Sequence, residues 1–355
     1  MRRVLTEKCL PGVKLARSIN SSTGRILLGA GVELKPSYIQ RLINYGISEI
    51  YIDDEISQGI EVVDVIDDRT RMETKVLVKN VMDEFKTQKT LRDIDSVKLM
   101  VDKILDELLS KREIVVNLSD IKSIDDYTYS HSVNVCILSV ITGIKLGLNQ
   151  LKIRNLGIGA LLHDIGKVTV PDEILKKPSS LNDEEYEIVK KHTTFGHEIL
   201  RRNKDINATS SLIALAHHER IDGSGYPLGT KGKDIHVFAR ITAITDVFDA
   251  LTSDRVYRKK MKTHEALEYL YSFSNNYFDK EIVDSFARNI AFYSKGTSVM
   301  IDTGQKGIVI GVNKNLPMRP IIKLIYNKDG TKCPDNHIID LTKKLNVVII
   351  DTCDI

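Results

Sequence analysis

Apolar residues recur at two different periods along this 355-residue chain. In residues 1–60 short strand-like runs alternate with a helical one: "GRILLGAGVEL" is broken by glycines, "KPSYIQRLINYGI" reads as a short helix and "SEIYID" as a strand. From residue 61 to 112 the pattern is helical and charged. Val76, Val78, Val81, Met82 and Phe85 share one stripe, and Val101, Ile104, Leu105, Leu108 and Leu109 another. This stretch reads as a connector, with a face suited to a second copy of the chain. Residues 113–294 form a long, almost wholly helical block with short loops. From 295 to 355 the runs "TSVMIDTGQKGIVIGV", "RPIIKLIY" and "LNVVIID" are short and β-rich, separated by glycine, asparagine and proline turns. The expected fold is mainly α, with small β-containing modules at both ends.

Composition narrows the class. A hydrophobic fraction of 42% and a charged fraction of 28% belong to an ordinary globular protein. The net charge of +3 is too small for a DNA or RNA polymer to be the expected partner. The start, "MRRVLTEKCLPGVKLARSI", lacks the apolar core of a signal peptide. No run reaches the ~18 apolar residues of a membrane span, so no membrane insertion is expected. Cys9, Cys136, Cys333 and Cys353 are scattered, with neither a CxxC clip nor a disulfide framework, which fits a reducing cytoplasm.

The helical block holds eight of the nine histidines. In "ALLHDIGKV" an apolar helical run meets His163 and Asp164 where its buried face should continue. A buried carboxylate costs several kcal/mol unless it is paired or binds a metal. The pattern recurs: His131 in "HSVNVCILSVITGI", His192 in "KKHTTFGHEIL", His217 and His218 in "IALAHHERIDGSGYP", and Asp246 in "ARITAITDVFDAL". One buried histidine is most simply a hydrogen-bonded core residue. Five such segments in one block would each need a private partner, whereas a shared metal centre satisfies them together. Imidazole and carboxylate without thiolate suit iron, manganese or catalytic zinc. Adjacent helical residues point about 100° apart, so the doublets 163/164 and 217/218 fit two ions bridged by Asp164 better than one. Two ions ~3.5–4 Å apart suit in-line displacement at phosphorus. Lys167, a helical turn beyond His163, either offers a point charge to a phosphate oxygen or is an exposed lysine near a helix end.

With "YTYSHS", the H-x-x-x-G of His192 and Gly196, and "DVFDALTSDRVYR", the ordered set "HDIGK" and "HHERIDGSGYP" resembles the HD-GYP branch of the HD metal-dependent phosphohydrolases over roughly residues 120–290. The resemblance implies a helical HD-type core and hydrolysis of cyclic di-GMP, to linear pGpG and in some members onward to GMP, by a bridging hydroxide on two divalent ions, usually iron or manganese. It implies His131, His163, Asp164, His192, His217, His218 and Asp246 as ligands, with Asp164 and Lys167 catalytic. Substrate contacts fall on Lys167, Gly225, Tyr226, Arg255 and Arg258. Asp222 either supports the ligands or caps its turn. Asp249 either supports them or pairs with Arg240 or Arg255. Lys259, Lys260 and Lys262 read as a solvated helix end, and His197, His236, His264 and His337 receive no role. Members with a third metal carry a glutamate where this chain has Tyr127, which favours two ions here.

Residues 1–60 are similar to a small module found beside such domains. Regulation would come through that module, the connector or an unseen partner, and the connector would carry a homodimer. The competing readings are hydrolysis of another cyclic dinucleotide or nucleotide, and a non-catalytic cyclic di-GMP receptor. None of the ligands nor Lys167 is missing, which disfavours the receptor.

Overall fold

The computed structural model describes residues 1–21, 25–62, 64–111, 114, 116, 127–177, 179–253, 260–313, 316–334 and 337–355. It divides into two compact units, each assembled from separate stretches of chain. One comprises Met1–Val65, Val115–Asp125 and Arg288–Ile355, the other Ile66–Ile114 and Asp126–Ala287.

The first unit carries the sheets. Strands β1 (Arg2–Leu5), β2 (Lys14–Leu15) and β5 (Glu49–Asp53) form an antiparallel sheet in the order β1-β5-β2, and β3 (Ile19–Asn20) pairs with β4 (Ile26–Leu28). Helix α1 (Pro36–Asn44) opens on a proline, whose missing N–H costs nothing at a first helical position. It turns Ile39 and Leu42 onto a core of Leu15, Leu34, Ile50 and Ile52. Near the C-terminus β6 (Ser298–Ile301), β7 (Lys306–Gly311), β8 (Ile321–Tyr326), β9 (Ile338–Asp340) and β10 (Ile349–Thr352) form a five-stranded antiparallel sheet, ordered β10-β6-β7-β8-β9. Period-two alternation sends Ile322 and Leu324 of β8 into a core with Val299, Ile301 and Val309.

The second unit is helical, so the chain as a whole is mainly α with small sheets toward its ends. Its helices are α2 (Asp68–Gln88), α3 (Ile94–Leu109), α4 (Tyr127–Lys145), α5 (Gln150–Leu161), α6 (Asp172–Leu175), α7 (Asp183–Lys190), α8 (His192–Arg201), α9 (Ala208–Ala216), α10 (Val237–Thr252), α11 (Thr263–Ser272) and α12 (Lys280–Ala287). Side-chain caps start several of them: Asp67 accepts from Arg69 N–H, Asn149 from Lys152 N–H, and Asn182 with Glu185 closes a capping box on α7. Helix α4 is apolar nearly all round because it is buried nearly all round, against α2, α5, α10 and α12. Gly157 lets α5 settle between its neighbours, since a Cβ there would lie 2.7 Å from Val101 Cγ1 and 3.0 Å from Val140 Cγ2. The charged helices α2 and α3 pack on α4 and α5. Val78, Val81 and Met82, with Val101, Ile104, Leu105 and Leu108, are thereby buried by this chain itself rather than held open for a second copy.

Candidate metal centre

Both histidine doublets sit where a helix ends. Helix α5 stops at Leu161, and Asp164 starts a 3-10 turn over Ile165–Thr169, so His163 and Asp164 occupy a break rather than the mid-helix position the sequence suggests. Likewise His217 is the C-terminal cap of α9, and His218 lies beyond it. Leaving the helix frees neighbouring side chains from the 100° rule, which is how both members of each doublet reach one region. In the 3-10 turn residues three apart eclipse, which brings Lys167 Nζ to 2.6 Å from Asp164 Oδ2.

Two glycines bring this break to the start of α8. A Cβ on Gly166 would lie 1.9 Å from the His192 carbonyl oxygen and 2.6 Å from Gly196 N. The backbone contact carries His192, first residue of α8, toward Asp164. The glycines of "HDIGK" and H-x-x-x-G therefore meet in space.

The histidine tautomers follow from their neighbours. His163 Nδ1 lies 2.8 Å from the Ala160 carbonyl, His192 Nδ1 2.7 Å from Val189 O, and His217 Nδ1 2.9 Å from Ile213 O. Carbonyls only accept, so each Nδ1 carries the proton and donates. Each Nε2 is then a bare lone pair directed into the cluster. Asp249 Oδ2 lies 2.8 Å from His131 Nδ1 and orients that ring in the same way.

The potential ligand atoms fall into two groups of three, His131 with His163 and Asp164, and His192 with His217 and His218. Within each group the ligand atoms lie within 4.8 Å of one another. Two carboxylates span both groups. Asp164 presents Oδ2 at 3.3 Å from His163 Nε2 and Oδ1 at 3.5 Å from His192 Nε2 and 4.0 Å from His217 Nε2. Asp246 presents Oδ1 at 2.9 Å from His131 Nε2 and Oδ2 at 3.9 Å from His218 Nδ1.

The electrostatics are those of a site short of positive charge. Burial pushes His192 and His217 below the ordinary histidine range and takes His218 down to about 3. Burial also opposes charge on His131, but Asp246 and Asp249 outweigh it and raise that ring to about 9. Burial opposes ionisation of Asp164 too, yet Lys167 and the surrounding histidines hold it well below the usual carboxylate range. His163 Nε2 and Asp164 Oδ1 are buried without a hydrogen-bond partner. Orphaned acceptors facing other acceptors are costly, and a divalent cation satisfies them. The residues fit a metal centre.

Around it, the segment 222–230 folds back on the His218 doublet. A Cβ on Gly225 would lie 2.4 Å from Arg220 N and 2.5 Å from Glu219 Cα, so this glycine serves close backbone packing. Tyr226 N–H donates to the His218 carbonyl, and its ring stacks on His218 at 4.8 Å between centroids. Asp222 accepts from Ser224 N–H at 2.8 Å, the turn-capping option of the two open to it. Asp249 contacts His131, as the supporting option has it, and Arg240 pairs with Asp279; the Arg255 alternative lies outside the described residues. Arg255 and Arg258, assigned to substrate, lie outside the described residues; Tyr127 falls in the first turn of α4.

Some contributors escaped the sequence reading. Glu219, 3% exposed, accepts from Leu228 N–H at 2.7 Å and Thr230 N–H at 3.1 Å, and so holds the segment that carries Tyr226. Its place beside the second doublet was the available signal. Asn134 Nδ2 donates to Asp249 Oδ1 at 2.7 Å. A polar residue one turn after His131 in an otherwise apolar helix was a legible hint. Tyr186 and Lys190 of α7 stand beside Tyr226, with Lys190 Nζ 5.7 Å from its ring centroid, and nothing in the local sequence marks them.

Comparison with known proteins agrees with this geometry. The HD domain family matches residues 121–282, and the family described as a KOW domain associated with HD domain matches residues 298–355. A Pseudomonas aeruginosa protein named as a cyclic di-GMP phosphodiesterase is 35% identical over 242 residues, 68% of this chain and 58% of its own length. A Thermotoga maritima protein of the same name is 39% identical over 184 residues, 52% of this chain and 50% of its own. A Vibrio cholerae protein named as a 3'3'-cGAMP-specific phosphodiesterase is 37% identical over 192 residues, 53% of this chain and 43% of its own. The chain thus spans about half the length of the curated relatives it matches. With the family match and the converging HDIGK and HHERIDGSGYP segments, residues 121–282 of the chain belong to the HD-domain family.

Proposed function

We propose that the centre holds two divalent cations, iron or manganese, and that the protein is a phosphodiesterase hydrolysing cyclic di-GMP to linear pGpG. The observation that carries this reading is the pair of three-ligand groups spanned by Asp164 and Asp246, with His163 Nε2 and Asp164 Oδ1 buried and unpartnered. When bound, such cations lower the pKa of water and draw charge from a phosphoryl oxygen.

The chain's own residues supply the rest. Asp164 spans both ligand groups and fixes their separation. Lys167, with about a third of its side chain exposed and its ammonium on Asp164, stands at the rim to meet a phosphoryl oxygen. Tyr226 offers an aromatic face beside His218, where a nucleobase can stack. Arg255 and Arg258 are assigned, from the sequence, to help hold the substrate's phosphates. Among the described residues no helix is long and apolar enough to cross a membrane. The cysteines Cys9, Cys136, Cys333 and Cys353 are free thiols, and we assign the protein to the cytoplasm. A homodimer through α2 and α3 would use faces other than the stripe buried within the chain, and a regulatory partner stays within this proposal.

A second reading, another cyclic dinucleotide as substrate, is favoured by the Vibrio relative's name. One assay separates the two. Manganese-loaded protein is given cyclic di-GMP, cyclic GMP-AMP and cyclic di-AMP in turn, and linear product is followed. The proposal expects cyclic di-GMP to have the highest kcat/KM, and a higher value for either competitor reassigns the substrate. Binding without turnover in all three arms makes the protein a receptor.

A further inference from the structure

The carboxylate that orients His131 is itself held from outside the centre. Asp249, 1% exposed, accepts from His131 Nδ1 through Oδ2 and from Asn134 Nδ2 through Oδ1, at 2.8 and 2.7 Å. Asn134, 6% exposed, in turn accepts from Arg71 Nη1 through Oδ1 at 2.7 Å. A carboxylate only accepts and a guanidinium only donates, so a single orientation of the Asn134 amide satisfies both neighbours. Arg71 lies in the first turn of α2, a helix that contributes no ligand to the cluster.

We propose that Arg71 is a positioning residue of the metal centre, acting through Asn134 and Asp249 on His131. The inference rests on the metal-centre reading and extends it to a helix that the HD-domain match, residues 121–282, does not include. The chain has a direction. The guanidinium orients the amide, the amide holds one oxygen of the carboxylate, and the other oxygen keeps the imidazole proton on Nδ1. Nε2 is thereby aimed at Asp246 Oδ1, 2.9 Å away, to which it donates while the ring is charged; it turns ligand once a cation displaces that proton. Outer partners of this kind typically change metal affinity ~10–100-fold when removed. Arg71 stands two hydrogen bonds further out, so its removal belongs at or below the low end of that range.

The test is Mn²⁺ binding to the chelator-stripped full chain, followed calorimetrically, with thermal unfolding measured alongside. Four proteins are compared: wild type, Arg71→Ala, Arg71→Lys and Arg69→Ala. Arg69 is a neighbour on the same helix that pairs with Glu73 at the surface. The proposal expects Arg71→Ala to weaken one of the two Mn²⁺ sites about threefold to tenfold and leave the other unchanged. Arg71→Lys, which still donates to Asn134, recovers part of the loss, and Arg69→Ala behaves as wild type. Equal affinities at both sites in Arg71→Ala overturn the proposal. So does a parallel weakening of both sites with a lowered unfolding temperature, since that is what a merely structural arginine would give. Failure of wild type to bind Mn²⁺ overturns the metal-centre reading and this inference with it, whereas a wild type that binds two ions confines any failure to Arg71.

Discussion

Asp164 Oδ1 and His192 Nε2 face each other at 3.5 Å as two acceptors, neither with a proton to share. The Lys167 ammonium sits on the other oxygen, Oδ2, so a cation between Oδ1 and Nε2 is what would relieve the buried approach of these two lone pairs. Because Asp164 also reaches His163 and His217, its removal strikes both ligand groups at once. Asp164→Ala is expected to lose Mn²⁺ from both groups and to lower kcat/KM at least about a thousandfold, roughly 4 kcal/mol of transition-state stabilisation. Metal content and linear product, measured on the same preparation, check this. Product formed at wild-type rates would refute the assigned centre.

Lys167 should separate from the ligands. Its ammonium touches Asp164 but stands at the rim, with 31% of its side chain exposed. Lys167→Ala is therefore expected to keep its bound Mn²⁺ while kcat falls about a hundredfold, the scale of losing one donor aimed at developing charge. An unchanged kcat would return Lys167 to the alternative of an exposed lysine.

Gly166→Ala tests the backbone contact that joins the 3-10 turn to α8. The new methyl would have to occupy space 1.9 Å from the His192 carbonyl oxygen, a backbone atom with no rotamer to escape into. The turn and α8 must part, at a cost of about 1–3 kcal/mol or more. The expected result is a lower unfolding temperature together with weaker Mn²⁺ binding, because His192 moves away from Asp164. Wild-type values for both would show that the glycine contact does not set the centre's geometry.

The clustering of the histidines with Asp164 and Asp246, and the mainly helical architecture, were legible for a shared reason. Polar residues stranded in apolar helical runs, such as His131 and Asp246, are conspicuous because burial makes them expensive. What stayed hidden lies where period and propensity carry no information. The breaks after Leu161 and Ala216 occur inside apolar runs, so a continuous helix was the natural expectation, yet those breaks are what let each doublet converge. Arg71 is a charged residue with nothing unusual in its local pattern, and Glu219 is marked only by its place beside the second doublet. Only tertiary contact reveals the backbone amides or the distant amide side chain they hold. Most of the apolar stripe on α2 and α3 is buried, with Leu109 left 52% exposed, but periodicity cannot say whether α4 and α5 or a second chain will cover such a face.

The metal-free protein should have a stability maximum between an acid and an alkaline limb. His218 falls to about 3 in the folded state against an ordinary 6.5, so between those values the unfolded chain binds more protons and stability rises with pH. His192 and His217 are lowered too and act in the same sense. His131 is the opposite case. Raised to about 9, it contributes stability that is fully present below 6.5 and is lost as pH climbs through 9. Calorimetric unfolding of chelator-treated protein should therefore peak near pH 6.5. The alkaline limb should flatten in His131→Gln, and if it persists in that variant the carboxylate pairing of His131 is not its source.

Glu219 should govern the substrate rather than the metal. Its two oxygens accept separately from Leu228 N–H and Thr230 N–H, which fixes the segment that presses Tyr226 onto His218. Glu219→Ala takes the buried acceptor from both partly buried amides, with an expected loss of about 1–3 kcal/mol for each that finds no water. Glu219→Gln keeps one acceptor but turns an amide donor toward the other N–H, so it should fall between alanine and wild type. Since Glu219 is outside both ligand groups, Mn²⁺ affinity should hold while KM for the dinucleotide rises, by about tenfold if one stacked base loses ~1.4 kcal/mol. Steady-state kinetics at saturating Mn²⁺ makes the distinction. A fall in kcat with KM unchanged would move Glu219 from supporting the Tyr226 segment to supporting the reacting centre itself.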